Sequence, residues 1–319
     1  MLKFNGVEEG GGMRRVVHRR HGGPEVLEVD EASRPVPGEN ELLVEVRAIG
    51  VSLPVVRLTR ADSAELPHVP GGEVVGRVAA IGKNVTGWEI GQRAAGLAFT
   101  GAYAEYVTVA APFLAPVPDA VDDATAVALV RSGQVALGAL RAGAFQAGES
   151  VLITAAAGSV GNLAIQLANA FGASRVVAAV GDDSKADFLR GVGAHEVIRY
   201  DQTTEPVDVV LDGAGGEAQN AALQQLAPFG RLVSFNAAGQ PVDVNELRYN
   251  ARGVIGFAMA HLASRRPEVY ARHRQELWDL HTRGALKPAI HAILPLEQAA
   301  EAHRIMESRA SRGKIVLAP

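Results

Sequence analysis

The sequence predicts an α/β protein in which a β-rich domain is interrupted by an inserted domain of alternating strands and helices. Two observations support this prediction. Residues 13–128 consist of short β-type runs separated by Gly and Pro turns, which is typical of a compact barrel-like sheet. Residues 129–262 alternate uniformly apolar strands with helical segments, which is typical of a parallel sheet covered on both faces. Residues 263–319 are expected to return to the first domain.

Composition limits the classes of function. The chain has 319 residues, of which 48% are hydrophobic and 21% are charged, as in a soluble globular protein with two domains. The net charge of −4 argues against a nucleic-acid partner, which usually requires a basic face. The sequence contains no Cys, so disulfides, thiolate zinc ligands and a Cys nucleophile are excluded.

Targeting signals are not evident in the sequence. Residues 1–12 lack the apolar core of a signal peptide and are expected to form a flexible leader. No apolar run is long enough to span a membrane. We therefore expect a cytoplasmic protein with no membrane partner.

In the first domain, each predicted strand follows a turn. The turn sequences "GGP" and "PVPGEN" separate runs that are rich in Val, Ile and other residues that favour strands. The predicted strands comprise residues 14–20, 25–32, 41–52, 72–82 and 101–110.

The inserted domain begins with the apolar strand 150–156, followed by a helix over 159–172 whose apolar residues fall on one face and which stops at Gly172. The alternation continues to the end of this domain. Strands are predicted at 175–180, 195–200, 207–213 and 231–239, and helices at 184–193 and 217–230. In the last segment, helices are predicted at 267–284 and 296–311, and strands at 289–295 and 313–319.

The loop between the strand 150–156 and its helix matches the dinucleotide fingerprint G-x-G-x-x-G, except that Ala156 replaces the first glycine. Gly158 lets the backbone approach a pyrophosphate, and Gly161 lets the helix lie close to the strand. The helix that begins near Ser159 presents unpaired N–H groups to an anion. A tight turn without a ligand is the alternative interpretation, but the order of strand, loop, amphipathic helix and second strand favours a cofactor.

The end of the second strand predicts which nicotinamide cofactor is bound. An acidic residue there usually bonds the ribose of NAD and repels a 2′-phosphate. This strand ends at Gly181, which leaves room for a phosphate, and Lys185 follows. Asp182 and Asp183 oppose this interpretation unless they turn away as a helix N-cap. NADPH is therefore expected, and NADH is less favoured.

Motifs from residue 13 to residue 319 resemble, in order, the zinc-independent quinone oxidoreductase (zeta-crystallin-like) branch of the medium-chain dehydrogenase/reductase superfamily. "HGGPEVLEV" resembles the family stretch "FGGPEVLEL", and "PVPGENELLVEVRAIGVS" resembles "PGEVLVRVRAAGVN". "GAYAEYVTV", "VLITAAAGSVGNLAIQLANAFGA" and "GKIVL" follow in family order. The resemblance implies a GroES-like catalytic domain with an inserted Rossmann domain. It also implies NADPH-dependent reduction of a quinone or an activated double bond, usually in a homodimer.

The same resemblance implies the residues of the cofactor site. The glycine loop would hold the pyrophosphate, two positions would lie near the adenosine 2′-phosphate beside Gly181, and a third group would line the cofactor cleft. The loop residues are Ala157, Gly158, Ser159, Val160 and Gly161; the residues near the 2′-phosphate are Lys185 and Tyr200; the cleft residues are Asp212, Gly213, Phe235, Asn236 and Phe257.

The sequence departs from related families at the catalytic positions. Zinc alcohol dehydrogenases have a Cys near Ser52 and a His near Gly72, so neither metal ligand is present and no catalytic metal is expected. Quinone reductases typically have Asn at the position of Ser52, with an Asp near Val55 and tyrosines nearby. Ser52 is the candidate catalytic residue, as a hydrogen-bond donor to a developing enolate, and backbone N–H groups are the alternative donors. No general acid is evident, and protonation is expected from water.

Two further functions stay open. The segment that follows Ser52 has no tyrosine and no aspartate before Asp62, so this side of the predicted substrate site is more apolar than in quinone reductases. Such a site also fits an enoyl reductase that acts on a thioester or a biosynthetic intermediate. The other open function is that of a structural or regulatory protein that binds NADPH without turnover.

Overall fold

The computed structural model describes residues 11–236 and 238–319 of the chain. We number its strands and helices in chain order. The strands are β1 (Gly12–Val17), β2 (Glu28–Ser33), β3 (Glu41–Val51), β4 (Gly72–Ile81), β5 (Arg93–Ala98), β6 (Tyr106–Ala110), β7 (Leu114–Pro116), β8 (Ser150–Ile153), β9 (Arg175–Val180), β10 (Glu196–Arg199), β11 (Val207–Asp212), β12 (Leu226–Ser234), β13 (Gly253–Gly256), β14 (Ile290–Pro295) and β15 (Lys314–Ala318). The helices are α1 (Leu53–Arg60), α2 (Asp123–Ala128), α3 (Gln134–Ala142), α4 (Ser159–Ala170), α5 (Ala186–Val192), α6 (Gly216–Gln224), α7 (Val244–Tyr249), α8 (Met259–Arg265), α9 (Pro267–Thr282) and α10 (Ala299–Glu307).

The first of two compact units contains the described residues up to Arg131 together with Ile290–Pro319. Its main sheet has the strand order β14-β15-β3-β4-β5-β7, and β6 pairs with β3 as well. Only the β14–β15 pairing in this sheet is parallel in the described chain. β3 is apolar at most positions because it lies inside the sheet, and Leu42, Val44 and Ile49 are fully buried.

A buried ion pair joins the two chain segments of this unit. The side chains of Lys314 on β15 and Glu73 on β4 are 1% and 0% exposed, and the Lys314 ammonium donates to the Glu73 carboxylate. Lys314 Nζ also donates to the carbonyl oxygen of Val51 at 2.9 Å. Burial lowers the pKa of Lys314, and the neighbouring Glu73 carboxylate opposes that shift. The pair therefore fixes β15 against β3 and β4.

The second unit, Ser132–Ala289, contains one parallel sheet of six strands in the order β10-β9-β8-β11-β12-β13. Numbered within this unit, the order is 3-2-1-4-5-6, which is that of a Rossmann dinucleotide-binding domain. The strands carry near-continuous apolar runs because helices cover both faces, and the side chains of Val151, Leu152 and Ile153 on β8 are at most 1% exposed. The predicted Rossmann arrangement is confirmed.

The domain boundaries differ from the predicted ones. The first unit extends to Arg131 rather than to residue 128, and the chain returns to it at Ile290 rather than at residue 263. The reason is that α9 packs within the second unit. Tyr270, Leu277 and Trp278 on α9 are buried, and the Gln134 side chain donates to the Tyr270 carbonyl at 2.9 Å. The predicted leader lies mostly outside the described residues.

Two element boundaries also differ. β1 begins at Gly12 because this residue pairs with Ser33 on β2, so the strand includes the last residue of the predicted leader. The predicted helix over 217–230 ends at Gln224, and β12 begins at Leu226. Leu226 pairs with Val207 on β11, so residues predicted to be helical belong to a strand because they pair within the sheet.

Acid is expected to destabilise the first unit through His303. Its Nε2 lies 3.0 Å from the Tyr103 hydroxyl, both side chains are buried, and burial lowers the pKa of His303 to about 4. The unfolded state, with a histidine pKa near 6.5, takes up this proton first as the pH falls. The stability contributed by neutral His303 is therefore complete above pH 6.5 and is lost as the pH falls to 4, and we expect about 3 kcal/mol of loss from this residue.

Chemical denaturation at a series of pH values from 7 to 4 measures this loss. His303→Gln is the matched variant, because an amide oxygen can accept from Tyr103 without titrating. The variant should lose less stability over this range than the parent protein. Parallel pH curves for the two proteins would contradict the assignment to His303.

Candidate cofactor and substrate sites

The predicted cofactor residues all lie at or after the carboxyl ends of the parallel strands in the second unit. The glycine loop follows β8, Gly181 follows β9, and Tyr200 follows β10. Gly213, Phe235 with Asn236, and Phe257 follow β11, β12 and β13. β8 and β11 are neighbours where the strand order reverses, and ligands of open α/β sheets bind outside such a switch point.

The two glycines of the loop have different surroundings. A Cβ added to Gly158 would meet the Ala155 carbonyl oxygen at 3.3 Å, with no other neighbour within 4 Å in the described chain. A Cβ added to Gly161 would lie 2.5 Å from the Ala156 carbonyl oxygen and 2.6 Å from that of Ala155. Gly161 is thus required for α4 to pack on the end of β8. Gly158 instead leaves its backbone open to a ligand.

Conformational strain in the glycine loop lies at Ala155. Gly158 has a φ of −72°, which is accessible to any residue, so its role does not depend on an unusual backbone conformation. The left-handed residue is Ala155, with a φ of 49°. Its N–H donates to the Tyr200 hydroxyl at 3.1 Å, so the side chain of the residue that follows β10 holds the loop. The sequence gives no sign of this bond.

The start of α4 suits an anion. No side chain in the described chain caps the helix at Gly158, and Ser159 and Val160 are half-buried in its first turn. The buried Asn162 side chain donates to the carbonyl oxygens of Gly158 and Ser159, at 2.8 and 3.1 Å, and so fixes this turn. The first N–H groups of a helix and its dipole favour negative charge. Ala157, directly before Gly158 in the loop, is buried.

One of the two acidic residues in the loop after β9 serves as a helical cap. The Asp182 side chain caps the short 3₁₀ turn Asp183–Lys185 and accepts from the Ser184 N–H at 2.8 Å and hydroxyl at 2.9 Å. Gly181 is exposed, and its Cβ position lies 3.6 Å from the Tyr200 ring. Asp182 is therefore turned into its own loop, as the N-cap interpretation requires, whereas the Asp183 carboxylate lies 3.7 Å from Arg199 Nη1.

Asp212, at the end of β11, organises the neighbouring loops rather than presenting a free carboxylate. It is fully buried and accepts from Thr154 Oγ1 at 2.8 Å, Asn236 Nδ2 at 2.6 Å and the Gly215 N–H at 3.1 Å. Thr154 was missed by the sequence analysis. Its only signal is a hydroxyl residue directly after an apolar strand.

Gly213, Phe235 and Phe257 have packing roles that the structure defines. A Cβ on Gly213 would lie 2.8 Å from the Phe235 ring, so the glycine allows that ring to cover the end of β11. The Phe257 ring packs on α3, where a Cβ on Gly138 would lie 2.3 Å from it. Phe257, which follows β13, therefore joins the end of that strand to α3 within the second unit.

Ser52, the candidate catalytic residue, lies between β3 and α1 in the first unit and is the N-cap of α1. Ser52 is 7% exposed, and its hydroxyl has no hydrogen-bond partner within residues 11–236 and 238–319. Its carbonyl oxygen accepts from the N–H groups of Val55 and Val56, at 3.1 and 3.2 Å. An orphaned buried hydroxyl is uncommon in folded proteins, and a bound ligand is one way to satisfy it.

Histidines come together in the first unit. The His18 ring centroid lies 5.3 Å from that of His68 and 6.2 Å from that of His21, and His18 is fully buried. His68 is half-buried against His18. Among the described residues, no group of three or more His, Asp or Glu side chains is arranged to hold a metal ion. No described helix is long and apolar enough to cross a membrane.

Comparisons with known proteins agree with this architecture. Residues 38–119 match the alcohol dehydrogenase GroES-like domain, and residues 192–317 match a family described as zinc-binding dehydrogenase. A quinone oxidoreductase of Pseudomonas aeruginosa is 33% identical over an alignment of 325 positions, gaps included, which covers 96% of this chain and 99% of that protein. The chain belongs to the quinone oxidoreductase branch of the medium-chain dehydrogenase/reductase superfamily. It is an NAD(P)H-dependent oxidoreductase with a GroES-like and a Rossmann domain.

Solved structures extend the comparison. The Escherichia coli quinone oxidoreductase, solved with NADPH, is 30% identical with a TM-score of 0.88, covering 96% of this chain and all of that one. A mycobacterial protein solved with NADPH is 31% identical with a TM-score of 0.90 and the same coverage. The chain is also 31% identical to a segment of a mycocerosic acid synthase-like polyketide synthase of Mycolicibacterium smegmatis, which covers 96% of this chain and 15% of that protein.

The two glycines of the loop are expected to respond differently to substitution. Gly158→Val should abolish cofactor binding and leave the fold intact, because the new methyl groups enter the open space beside the loop. Gly161→Val should unfold or strongly destabilise the second unit, because its Cβ would overlap two backbone carbonyl oxygens. Fluorescence titration with NADPH beside a thermal melt separates the two effects. A well-folded Gly158→Val protein with parental affinity would contradict the phosphate site.

Proposed function

We propose that this oxidoreductase uses NADPH, without a bound metal, to reduce a quinone or an activated carbon–carbon double bond such as that of an enone or enal. The observation that carries the proposal is the arrangement at the carboxyl edge of the Rossmann sheet. The open glycine loop and the uncapped helix α4 follow β8. The loop that Asp182 caps follows the neighbouring strand β9. The relatives named quinone oxidoreductase support the acceptor class.

The residues present fit the cofactor. The backbone at Gly158, Ser159 and Val160 would hold the pyrophosphate, because it combines open space with the positive end of α4. Lys185 and Tyr200 would lie beside the adenosine 2′-phosphate. The bound cofactor would supply hydride from its nicotinamide ring, and the protein orients it and excludes water.

Ser52 is proposed to donate a hydrogen bond to the substrate oxygen on which negative charge develops. Its hydroxyl is buried and lacks a protein partner in the described chain, so it is prepared for a ligand that accepts. The proton that completes the reduction would come from water. A cytoplasmic homodimer is also part of the proposal and is supported by the family resemblance alone.

A second candidate function is reduction of an enoyl thioester. Two observations favour it: the apolar segment that follows Ser52, which includes Leu53, Val55 and Val56, and the match to a segment of a polyketide synthase. The third candidate, cofactor binding without turnover, predicts no consumption of NADPH with any acceptor.

Steady-state assays should show continuous NADPH oxidation with 1,4-benzoquinone or a simple enone, at lower rates with NADH, and with full activity in EDTA. The reason for the last result is the absence of Cys ligands from the chain. Absorbance at the reduced nicotinamide band measures the rates. Faster turnover of a crotonyl thioester would favour the second candidate, and activity that is lost in EDTA and restored by zinc would reject the metal-free mechanism.

Ser52→Ala should lower kcat by about tenfold or more, because a donor aimed at developing charge is removed. The melting temperature should stay the same or rise, because the hydroxyl removed has no partner in the described protein. NADPH affinity should be unchanged, which a titration measures. Parental kcat in the variant, or a large fall in melting temperature that accounts for the loss, would show that Ser52 is only structural.

A further inference from the structure

Arg199 is a cation at the carboxyl edge to which the proposed function assigns no role. It is the last residue of β10 and pairs in register with Val180, the last residue of β9. Gly181 and the capped loop therefore begin beside it. In dinucleotide-binding domains the end of this second strand lies against the adenosine ribose, and an arginine nearby can accommodate a 2′-phosphate.

The Arg199 guanidinium is held toward this loop. Its Nε and Nη2 donate to the two carboxylate oxygens of Asp201, at 3.0 and 2.9 Å. This bidentate pair fixes the plane of the side chain. Nη1 lies 3.7 Å from Asp183 Oδ2, which is longer than a hydrogen bond, so this edge of the guanidinium faces the loop through a weak ion pair.

Charge at this edge makes such a cation necessary for a phosphate. The loops after β9 and β10 carry three carboxylates, those of Asp182, Asp183 and Asp201. Only Asp182 caps a helical turn, and the other two pair with Arg199. A 2′-phosphate would be repelled by this set if Lys185 were the only cation beside it.

We propose that Arg199, together with Lys185, binds the 2′-phosphate of NADPH and thereby determines the preference for NADPH over NADH. The proposal rests on the NADPH dependence proposed above. Asp201 acts as a positioning residue that orients the guanidinium, and the phosphate takes the place of Asp183 as the stronger acceptor for Nη1. A guanidinium suits this role because it is always charged and its planar donors match phosphate oxygens.

Equilibrium titration of the full chain with NADPH and NADH tests the proposal without reference to turnover. Arg199→Ala should weaken NADPH binding by about tenfold or more, because a charge-assisted contact is removed. NADH binding should change by less than about twofold, since only screened long-range charge is altered. Adenosine 2′,5′-bisphosphate and adenosine 5′-phosphate, used as competing probes, should show the same difference.

Arg190→Ala is the matched control. Arg190 lies on α5, pairs with Asp187 at 3.2 Å and has a side chain that is 60% exposed, so the variant removes one positive charge from the same stretch of chain without touching the strand end. It should keep the parental ratio of affinities. Equal losses in the two variants would show a diffuse charge effect and would overturn the proposal.

The remaining outcomes separate this inference from the proposed function. Equal affinity of the parent protein for NADPH and NADH would reject the NADPH preference itself. A parent that prefers NADPH, with an Arg199→Ala variant that keeps the full preference, would overturn only the role of Arg199. Arg199→Gln, which removes the charge but keeps the first carbons of the side chain and an amide donor, serves as the test if a thermal melt shows that Arg199→Ala is poorly folded.

Discussion

The first unit depends on one electrostatic constraint, the burial of Lys314 and Glu73 as a pair. The two residues are 241 positions apart in the chain, and neither charge is accessible to solvent. Loss of one partner from such a pair costs about 3–5 kcal/mol, because the other is left buried and uncompensated. The pair brings β15 to β3, and β3 in turn pairs with β4 and β6. The Lys314 bond to Val51 fixes the residue directly before Ser52, so the same interaction positions the candidate catalytic hydroxyl.

The second unit follows a different rule, in which backbone geometry prepares the site. Parallel strands bring all of their carboxyl ends to one edge, and polar groups collect there without further design. Asp212 uses its buried carboxylate to join Thr154, Asn236 and Gly215 at that edge. Ala155 stays in a left-handed conformation beneath the Tyr200 hydroxyl. These groups determine the shape of the loops, whose N–H groups and cations are proposed to bind the cofactor.

Sequence patterns predicted the features that repeat along the chain. The apolar strands, the helix that begins at Ser159 and the loop at Gly158 were all evident, because periodicity and glycine spacing are local properties. The strained Ala155, the orientation of Asp182 and the packing of α9 were not, since each depends on a partner distant in the sequence. The boundary near residue 263 was wrong for the same reason: nothing in the α9 sequence shows that its apolar side belongs to the second unit.

The division of the first unit between two chain segments affects the order of folding during synthesis. The ribosome releases Glu73 early, then the whole of the second unit, and only afterwards Lys314. A contiguous domain can complete its packing as soon as it has emerged, whereas a carboxylate destined for a dry interior cannot be buried before its counter-ion arrives. The growing chain therefore acquires its nucleotide-binding half first, and the segment that carries Ser52 reaches its final packing only when β15 has been added.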